Sequence, residues 1–454
     1  MAVNLEELPL PDELPAIPDG WRYESLGDLV EERGVSYGIV QPGSETSDGV
    51  PIVRVNNIRN GRIDTTDMLK VGADIEAKFL RSRLRGGEVL LTLVGTLGEV
   101  AIVPENLSGW NVARAVGVIP VRKDPGSLWV SICLRSAFIQ HCIRTWATTT
   151  VQATFNLRDL AKLPIPIPPT DTREAIAAVL GALDDKIELN RRMNATLEAM
   201  ARALFQSWFV DFDPVRAKLD GRSPVGLDSA TAALFPAAFQ ESRIGHIPLG
   251  WAVGAIDDAT SLIIDYRGKT PKKMGSDWSA TGIPAVSAKN VKGGRLVRPD
   301  MFNFVSEELY ERWMKDKLAL GDTLMTSEAP LGELYYLALD ARFCISQRIF
   351  ALRAHLSRCE PTFLYYWLES PACQTEILNR GSGTTVEGIR QSELRKVSVL
   401  LPPLPIQKAA AKFLAPWTEQ IHRNEGESRT LATLRATLLP KLLSGELSVA
   451  QKQN

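Results

Sequence analysis

The sequence lacks the features of a membrane protein, a secreted protein or a disulfide-stabilised scaffold. No apolar run approaches the roughly 18 residues needed to span a bilayer. Only five cysteines occur among 454 residues, and they are scattered, with no Cys-x-x-Cys pair, which favours reduced thiols in a cytosol. No Lys or Arg precedes Arg22, and this stretch is acidic and rich in proline, unlike a signal peptide. These features predict a soluble, cytoplasmic protein without a membrane partner.

The sequence also lacks an excess of charge of either sign. It has 52 basic and 53 acidic residues, for a formal net charge of −1. The overall field therefore neither attracts nor repels nucleic acid strongly. A polyanion would have to be held by local clusters of the chain or by partner subunits.

Patterns that indicate catalysis or metal binding are missing as well. There is no Gly-x-x-x-x-Gly-Lys-Ser/Thr phosphate loop, and neither Pro-Pro pair has the context of an Asn/Asp-Pro-Pro-aromatic methyltransferase motif. The four histidines have no evident partner constellation, and His141 beside Cys142 provides too few ligands for a metal. We therefore expect no catalytic residue, no metal site and no cofactor in this chain.

What the sequence does contain is a duplication of most of its length. Matching segments recur at a nearly constant offset along the chain, so insertions and deletions are small. The matched pairs are 18–21 with 248–251, 49–53 with 282–286, 87–92 with 321–326, and 168–169 with 402–403. A duplicated domain offers two similar surfaces, and we expect its ligand to have two parts as well.

The sequence of each half predicts an α+β globular domain of about 150 residues. Short apolar runs between Gly, Asn and Pro turns indicate strands, and residues 127–146 and 361–379 are predicted to be helices. Each half closes with a proline-rich run. Since proline neither continues a helix nor donates a hydrogen bond within a central strand, we expect the globular domain to end there. The predicted organisation is an acidic tail at 1–18, a first globular domain at 19–169, a long helix at 170–212, a linker at 213–245, a second globular domain at 246–403 and a second long helix at 404–454.

Each predicted long helix carries apolar residues at alternating spacings of four and three, the pattern of a coiled-coil seam. Asn190 and Asn424 occupy equivalent positions of the two copies, where an amide costs stability but fixes register. The residues predicted for helix pairing or partner docking, here called the helix seam, are Ile187, Asn190, Leu197, Leu204, Trp208, Ile421, Asn424, Leu431 and Leu438. Two amphipathic helices packed separately on their own domains are the alternative. Pro416 is expected to kink or split the second helix.

The order of these features resembles the specificity subunit of type I restriction-modification systems. The resemblance rests on the duplicated layout, the segment 204–215, the loops 36–43 and 265–271, and the opening at 282–284. It extends from residue 18 to about residue 448. The first copy departs from the usual pattern at 147–152, whereas the second has a more typical glycine-bearing segment at 380–385.

The resemblance implies two target-recognition domains, each recognising one half of a split site in double-stranded DNA. It also implies that the two long helices form an antiparallel coiled coil that separates the domains and docks two methyltransferase subunits. Restriction or translocase subunits would join the complex and defend the cell against phage. S-adenosylmethionine would belong to the methyltransferase partner, and ATP and Mg to the restriction partner.

Residues suited to contacts with DNA bases or phosphates occur at corresponding points of both halves. Those after a predicted strand are Arg54, Asn56, Asn57 and Arg59, with the counterparts Ser287, Lys289, Asn290 and Lys292. Those in the early loops are Tyr37 in the first half and Tyr266, Arg267, Lys269 and Lys273 in the second. Further candidates are Arg114 and its equivalent Arg348, together with Thr148, Thr149, Gln152, Ser382 and Thr384.

Each group has an alternative interpretation. The Asn-rich segments are also common turn sequences, Arg114 and Arg348 could form structural ion pairs, and the hydroxyl runs could cap helices. The differences between Arg54 and Ser287 and between Asn56 and Lys289 imply two different half-sites, and hence an asymmetric DNA sequence. A protein scaffold with two partner-binding domains and no nucleic acid is the alternative function.

Overall fold

The computed structural model describes residues 14–59, 61–149, 152–383 and 387–449, and the chain separates into two compact units. Unit 1 contains the residues up to Glu188 and those from Ser428 on, and unit 2 contains Leu189 to Glu427. Each unit mixes helices and strands, which confirms the predicted α and β content. The predicted domain limits and the coiled coil stay predictions. Within the described residues, no helix is long and apolar enough to cross a bilayer.

Unit 1 is built around a four-stranded antiparallel sheet. The strands of this unit are β1 (Arg22–Ser25), β2 (Ser36–Tyr37), β3 (Val50–Val53), β4 (Ile58–Arg59), β5 (Arg62–Ile63), β6 (Leu69–Val71), β7 (Val89–Thr92), β8 (Val100–Ile102), β9 (Asn111–Val112), β10 (Val116–Ile119), β11 (Thr148–Thr149), β12 (Ala153–Thr154) and β13 (Pro164–Ile167). The main sheet has the order β2-β10-β7-β8, and a second sheet has the order β6-β3-β9. Every residue of β7 is buried, so its Val-Leu-Leu sequence is explained by its central position in the core.

The helices of unit 1 cover this core. They are α1 (Ala73–Glu76), α2 (Ser127–Leu134), α3 (Ala137–Trp146), α4 (Leu157–Lys162), the first part of α5 (Thr170–Phe209) and the last part of α13 (Leu404–Leu443), and both long helices extend into unit 2. The prediction of one helix over 127–146 is wrong. The first helix ends at Leu134, and Ser136 caps the second, since its hydroxyl accepts a hydrogen bond from the Ile139 amide at 3.3 Å.

Unit 2 repeats the sheet topology of unit 1. Its helices are the rest of α5, then α6 (Asp213–Leu219), α7 (Ser229–Leu234), α8 (Ile256–Ala259), α9 (Glu307–Trp313), α10 (Pro361–Glu369), α11 (Pro371–Asn379), α12 (Gln391–Leu394) and most of α13 (Leu404–Leu443). Its strands are β14 (Phe239–Ser242), β15 (Gly245–Pro248), β16 (Ala252–Ala255), β17 (Thr260–Asp265), β18 (Ile283–Val286), β19 (Val291–Lys292), β20 (Arg295–Leu296), β21 (Asn303–Val305), β22 (Thr323–Thr326), β23 (Leu334–Tyr336), β24 (Cys344–Ile345), β25 (Ile349–Ala354) and β26 (Ser398–Leu401). The sheets β17-β25-β22-β23 and β21-β18-β24 correspond to the two main sheets of unit 1.

The predicted helix over 361–379 is also two helices. Ser370 caps α11, and Pro371 occupies the first turn of that helix, where its missing amide hydrogen costs nothing. The predicted split of the second long helix at Pro416 does not occur, because α13 runs unbroken through it. Ala410 and Leu414, in the preceding turns, are fully buried in the core of unit 2 and hold this part of the helix in place.

Candidate nucleic-acid interface

In unit 1, backbone hydrogen bonds bring four loop segments together, and a bond from the Leu93 amide to the Ala115 carbonyl at 2.8 Å links the two pairs described next. The Ile39 amide bonds the Val112 carbonyl at 2.7 Å, and the Arg114 amide bonds the Ile39 carbonyl at 2.9 Å. The Gly95 amide bonds the Ala153 carbonyl at 3.1 Å, which joins the turn after β7 to the β11–β12 hairpin. We call residues 37–43, 94–98, 113–115 and 148–154 loop cluster 1, of which residues 150 and 151 lie outside the described residues.

Some of the predicted residues of loop cluster 1 form hydrogen bonds within the protein, and others have exposed side chains. The Tyr37 hydroxyl accepts a hydrogen bond from the Leu157 amide at 3.2 Å, so this group supports α4. Thr148 is exposed, and its hydroxyl donates to the Thr154 carbonyl at 3.3 Å. Gln152 and Arg114 have exposed side chains. The backbone of Thr149 lies in β11, opposite Ala153 of β12.

Unit 2 contains the corresponding arrangement. The Ser327 amide bonds the Arg348 carbonyl at 2.8 Å, and the Ile389 amide bonds the Ser327 carbonyl at 2.9 Å. The Arg267 guanidinium donates to the Ile389 carbonyl at 3.2 Å, which ties the early loop to the same place. Ser382 pairs with Gly388 across the last loop. We call residues 266–273, 327–332, 346–348 and 381–389 loop cluster 2, of which 384–386, including the predicted Thr384, lie outside the described residues.

Several predicted cations of loop cluster 2 hold the loop itself. Arg267 makes two hydrogen bonds to Asp265, at 2.9 and 2.8 Å, and its guanidinium lies 4.1 Å from the centre of the Phe350 ring. The Lys269 ammonium donates to the Trp313 carbonyl at 3.1 Å, and the Lys273 ammonium donates to the Gly268 carbonyl at 2.8 Å. These bonds shape the loop, and both Arg267 and Lys273 keep part of their surface accessible to a ligand.

Tyr266 is a structural residue of the same loop. Its hydroxyl accepts a hydrogen bond from the Asp316 amide at 2.7 Å, and its ring lies under the Lys269 ammonium at 4.1 Å. Burial raises the pKa of Tyr266 above its ordinary value of 10.0. The hydroxyl therefore stays protonated at neutral pH.

Arg348 is held in an unusual backbone conformation at the centre of loop cluster 2. Its φ is 67°, in the left-handed region that residues other than glycine rarely adopt. Its guanidinium pairs with the Glu328 carboxylate at 3.0 Å, and the side chain is 48% exposed. A strained backbone that presents a charged, exposed side chain is typical of functional loops.

The residues that follow β3 and β18 divide into internal and exposed side chains. Asn57 is buried; its side-chain oxygen accepts from the Arg54 amide at 2.9 Å, and its amide donates to the Asp64 and Asp67 carbonyls. Asn290 is buried in the same way, with its oxygen accepting from the Ser287 hydroxyl at 2.8 Å. These bonds match the alternative interpretation of the asparagines as turn residues.

Of the remaining residues of this group, Arg54 and Ser287 are half-buried and the other four are exposed. Arg54 pairs with Asp67 at 2.9 Å and is 30% exposed. The exposed members are Asn56 and Arg59 in unit 1 and Lys289 and Lys292 in unit 2. Because each exposed residue of one unit has an exposed counterpart at the equivalent position of the other, this surface is available for phosphate or base contacts in both copies.

Two arginines that the sequence analysis missed anchor the adjacent hairpins. Arg62 of β5 pairs with Glu188 of α5 at 2.6 Å. Arg295 of β20 pairs with Glu198 of α5 and, at 2.7 Å, with Glu425 of α13. The two arginines are separated by the same offset as the surrounding repeat, and this correspondence was the signal in the sequence.

The seam asparagines lie in a buried amide network of unit 2. The Asn190 amide donates to the Asn424 carbonyl at 3.4 Å and to the Glu427 carboxylate at 2.7 Å, and Asn194 donates to the Ile421 carbonyl at 3.2 Å. As the residue number rises along α5, that of the contact on α13 falls, so these segments run antiparallel within unit 2.

Other seam residues pack on the globular parts of their own units. Leu204 and Trp208 belong to the core of unit 2, and Leu438 packs against the core of unit 1. Trp208 and Ile421 are buried, and Ile187, Leu197, Leu204, Leu431 and Leu438 are half-buried. Within unit 2, the two helix segments thus bond to each other and also pack on the globular core, while the coiled coil itself stays a prediction.

No group of three or more His, Cys, Asp or Glu side chains among the described residues could hold a metal ion. All five cysteines are buried as free thiols.

Comparison with known proteins places this architecture in a family. The family described as "Type I restriction modification DNA specificity domain" matches residues 18–199 and 248–431. Over 343 residues the chain is 27% identical to the type I restriction enzyme HindI specificity subunit of Haemophilus influenzae, covering 65% of this chain and 71% of that protein. Over 446 residues it is 23% identical to the putative type I restriction enzyme MjaX specificity subunit of Methanocaldococcus jannaschii, covering 96% of both.

The fold agrees with a solved structure of this kind. The crystal structure of the type I restriction-modification system S subunit from M. genitalium superimposes with a TM-score of 0.58 at 16% identity, covering 95% of this chain and 99% of that one. The scaffold alternative is not favoured, because the curated relatives are specificity subunits. The two matched regions together span most of the sequence, and the chain therefore belongs to the type I restriction-modification DNA specificity family.

Proposed function

We propose that this chain selects the DNA sequence on which a type I restriction-modification complex acts, with each loop cluster recognising one half of a split site. The observation that carries the proposal is the same loop junction in both units. In unit 1 the Leu93 amide bonds the Ala115 carbonyl and the Phe155 amide bonds the Leu93 carbonyl, both at 2.8 Å. The bonds from Ser327 to Arg348 and from Ile389 to Ser327 are their counterparts in unit 2. A duplicated surface suits a ligand in two parts, and the differing side chains suit an asymmetric sequence.

The contacts divide into two classes. Exposed cations such as Arg59, Lys289 and Lys292 would neutralise phosphates and position the duplex, whereas Gln152, Arg114 and Arg348 can read base edges. Because the net charge is only −1, much of the phosphate contact would come from the partner subunits. The chain itself would perform no catalysis.

The long helices would pair as an antiparallel coiled coil that sets the spacing of the two half-sites and docks two methyltransferase subunits. The amide network of Asn190, Asn194 and Asn424 supports this, since buried polar residues in a helix seam fix register. The methyltransferase would bring S-adenosylmethionine, and a restriction or translocase subunit would bring ATP and Mg. The complex would operate in the cytoplasm.

The test is co-expression with a methyltransferase subunit of the same restriction-modification system, followed by genome-wide mapping of methylated adenines. We expect a split motif with one fixed gap. Replacing residues 19–169 with the matching domain of another specificity subunit should change one half of the motif, and replacing residues 246–403 should change the other. Absence of methylation from a correctly assembled complex, or a continuous motif, would contradict the proposal.

A further inference from the structure

Arg62 and Arg295 occupy the same place in the two copies of the fold. Each follows the turn of the two-stranded hairpin that comes after the exposed basic residues, β4–β5 in unit 1 and β19–β20 in unit 2. Each directs its guanidinium away from its own hairpin to a carboxylate on a long helix. A hairpin that is part of a recognition domain is therefore bonded to the helix within each unit.

In unit 1, this bond is accompanied by close packing. Arg62 is 30% exposed and Glu188 is 20% exposed, so the 2.6 Å ion pair is partly shielded from solvent. A Cβ atom added at Gly61, whose φ is 82°, would lie 3.3 Å from the Arg135 guanidinium. Arg135 in turn pairs with Asp184 of α5 at 2.9 Å. The hairpin, the end of α2 and the long helix thus form one connected contact.

In unit 2, the connection involves both long helices. Arg295 pairs with Glu198 of α5 and Glu425 of α13, and Glu425 is only 16% exposed. A Cβ atom added at Gly294 would lie 3.1 Å from the Tyr365 hydroxyl of α10. The Gly293 amide also donates to Glu333 at 2.6 Å. One guanidinium therefore joins the hairpin to two helices at once, which the planar geometry of arginine allows.

We infer that Arg62 and Arg295 are positioning residues that set the orientation of each recognition domain on its helix, and thereby the number of base pairs tolerated between the two half-sites. This inference rests on the proposed function. A base pair adds about 3.4 Å along DNA, so a small rotation of a domain about its helix contact shifts its loop cluster by one step. Neither arginine is proposed to contact DNA.

The experiment uses the full chain in its complex with the methyltransferase subunit. Methylation is mapped across the genome for Arg62→Gln and Arg295→Gln, and the readout is methylation of sites whose half-sites are intact but whose gap is one base pair longer or shorter. We expect both half-site sequences to be unchanged and methylation at altered gaps to rise about tenfold, which corresponds to about 1.4 kcal/mol. A merely structural role would lower methylation at all sites equally.

Matched variants separate this role from general destabilisation. Arg22→Gln and Arg342→Gln remove ion pairs, to Glu24 and Glu307, that do not reach a long helix, and they should leave gap discrimination unchanged. The double variant with Arg62→Glu and Glu188→Arg should have the gap discrimination of the wild type. Arg295→Lys should retain gap discrimination only in part, because an ammonium does not bridge two carboxylates in the same geometry.

Three outcomes would overturn the inference. Unchanged gap discrimination in both glutamine variants would do so, as would uniform loss of methylation at native and altered gaps. Failure of the charge exchange to restore discrimination, in a complex that assembles, would remove the role of the Arg62 pair. A wild-type complex without any split motif would instead contradict the proposed function itself, so the two failures are distinguishable.

Discussion

The Asn424 side-chain amide donates a hydrogen bond to the Asn194 side-chain oxygen at 2.8 Å, in the buried interior of unit 2. Asn424 also accepts from Gln420 at 2.7 Å, and its backbone carbonyl accepts from Asn190. A buried amide is tolerated only when its partners are in place, because an unpaired polar group loses its hydration without compensation.

We therefore expect Asn424→Ala to lower the free energy of unfolding by about 1 to 3 kcal/mol. The truncation leaves the Asn194 oxygen and the Gln420 amide without this partner. The measurement is the shift of the urea midpoint followed by circular dichroism. Asn56→Ala, at an exposed asparagine, is the control and should leave the midpoint unchanged. An equal midpoint for Asn424→Ala would show that the network contributes no stability.

Lys289, just before β19, and Lys292, at the end of this strand, are exposed and should act on DNA binding without affecting folding. Their joint replacement by alanine removes two phosphate contacts. We expect the slope of log affinity against log salt for the complete complex to fall by up to about 2, with binding weakened to a similar extent on all sequences. The readout is fluorescence anisotropy on a cognate duplex across a salt series.

Asn290→Ala is the contrasting variant for this surface. Asn290 is buried and its side chain closes the turn before β19, so its loss should lower the melting temperature. An unchanged salt slope in the lysine variant would place the DNA surface elsewhere in the unit.

A substitution of Arg348 by glycine tests the role of the guanidinium in recognition without straining the backbone. The Arg348→Gly variant is relieved of about 1 to 2 kcal/mol of backbone strain at a φ of 67°, and it loses about 0.4 to 1 kcal/mol because glycine raises the conformational entropy of the unfolded chain. It loses an exposed ion pair with Glu328, which contributes about 0 to 1 kcal/mol. We expect an unchanged melting temperature but strongly reduced methylation, measured on a plasmid that carries the native site. Methylation at the wild-type rate would exclude a role for the guanidinium in recognition.

Glu76 should make unit 1 sensitive to acid. The hydrogen bond from Arg83 holds the pKa of Glu76 below its ordinary value of 4.5, against the opposing effect of burial, and Asn111 donates a further bond at 3.0 Å. Since the folded pKa is depressed, the stability that this carboxylate contributes is present above pH 4.5 and is lost as the pH falls through the folded pKa.

The variant Glu76→Gln should be less stable than the wild type at neutral pH, and its melting temperature should fall less steeply below pH 4.5. Thermal denaturation across a pH series measures both effects. Glu45→Gln, at an exposed glutamate in the same unit, should follow the wild-type curve. Parallel curves for Glu76→Gln and the wild type would contradict the assignment.

The thiols should be unreactive until the protein unfolds. All five are buried, and burial raises the pKa of Cys142 to about 11 and the pKa of Cys344 to about 12, so the reactive thiolate is scarce at neutral pH. We expect no reaction with an aromatic disulfide reagent in the native state and five equivalents in guanidinium chloride. Rapid labelling of one thiol in the native protein would reveal local opening of its unit.

The sequence predicts where much of the candidate interface lies, but it does not predict which of its residues are structural and which are exposed to a ligand. The constant offset between the two copies identified Asn57 and Asn290 as equivalent positions, and their residue type suited both a turn and a base contact. Only the folded chain shows their hydrogen bonds to backbone groups beyond the turn itself. The same contacts leave Lys289 exposed, which no local pattern reveals.

The sequence by itself determined the duplication, the α and β content and the family, because those depend on the order of residues and on short-range periodicity. The tertiary structure decided which cations are exposed, that Ser136 and Ser370 break predicted helices, and that Arg62 and Arg295 bond hairpins to helices. The exposed cations and the ion pairs depend on contacts between residues far apart in the sequence. The helix breaks depend on whether a serine caps a new helix or continues the old one. Both are settled only when the whole chain packs.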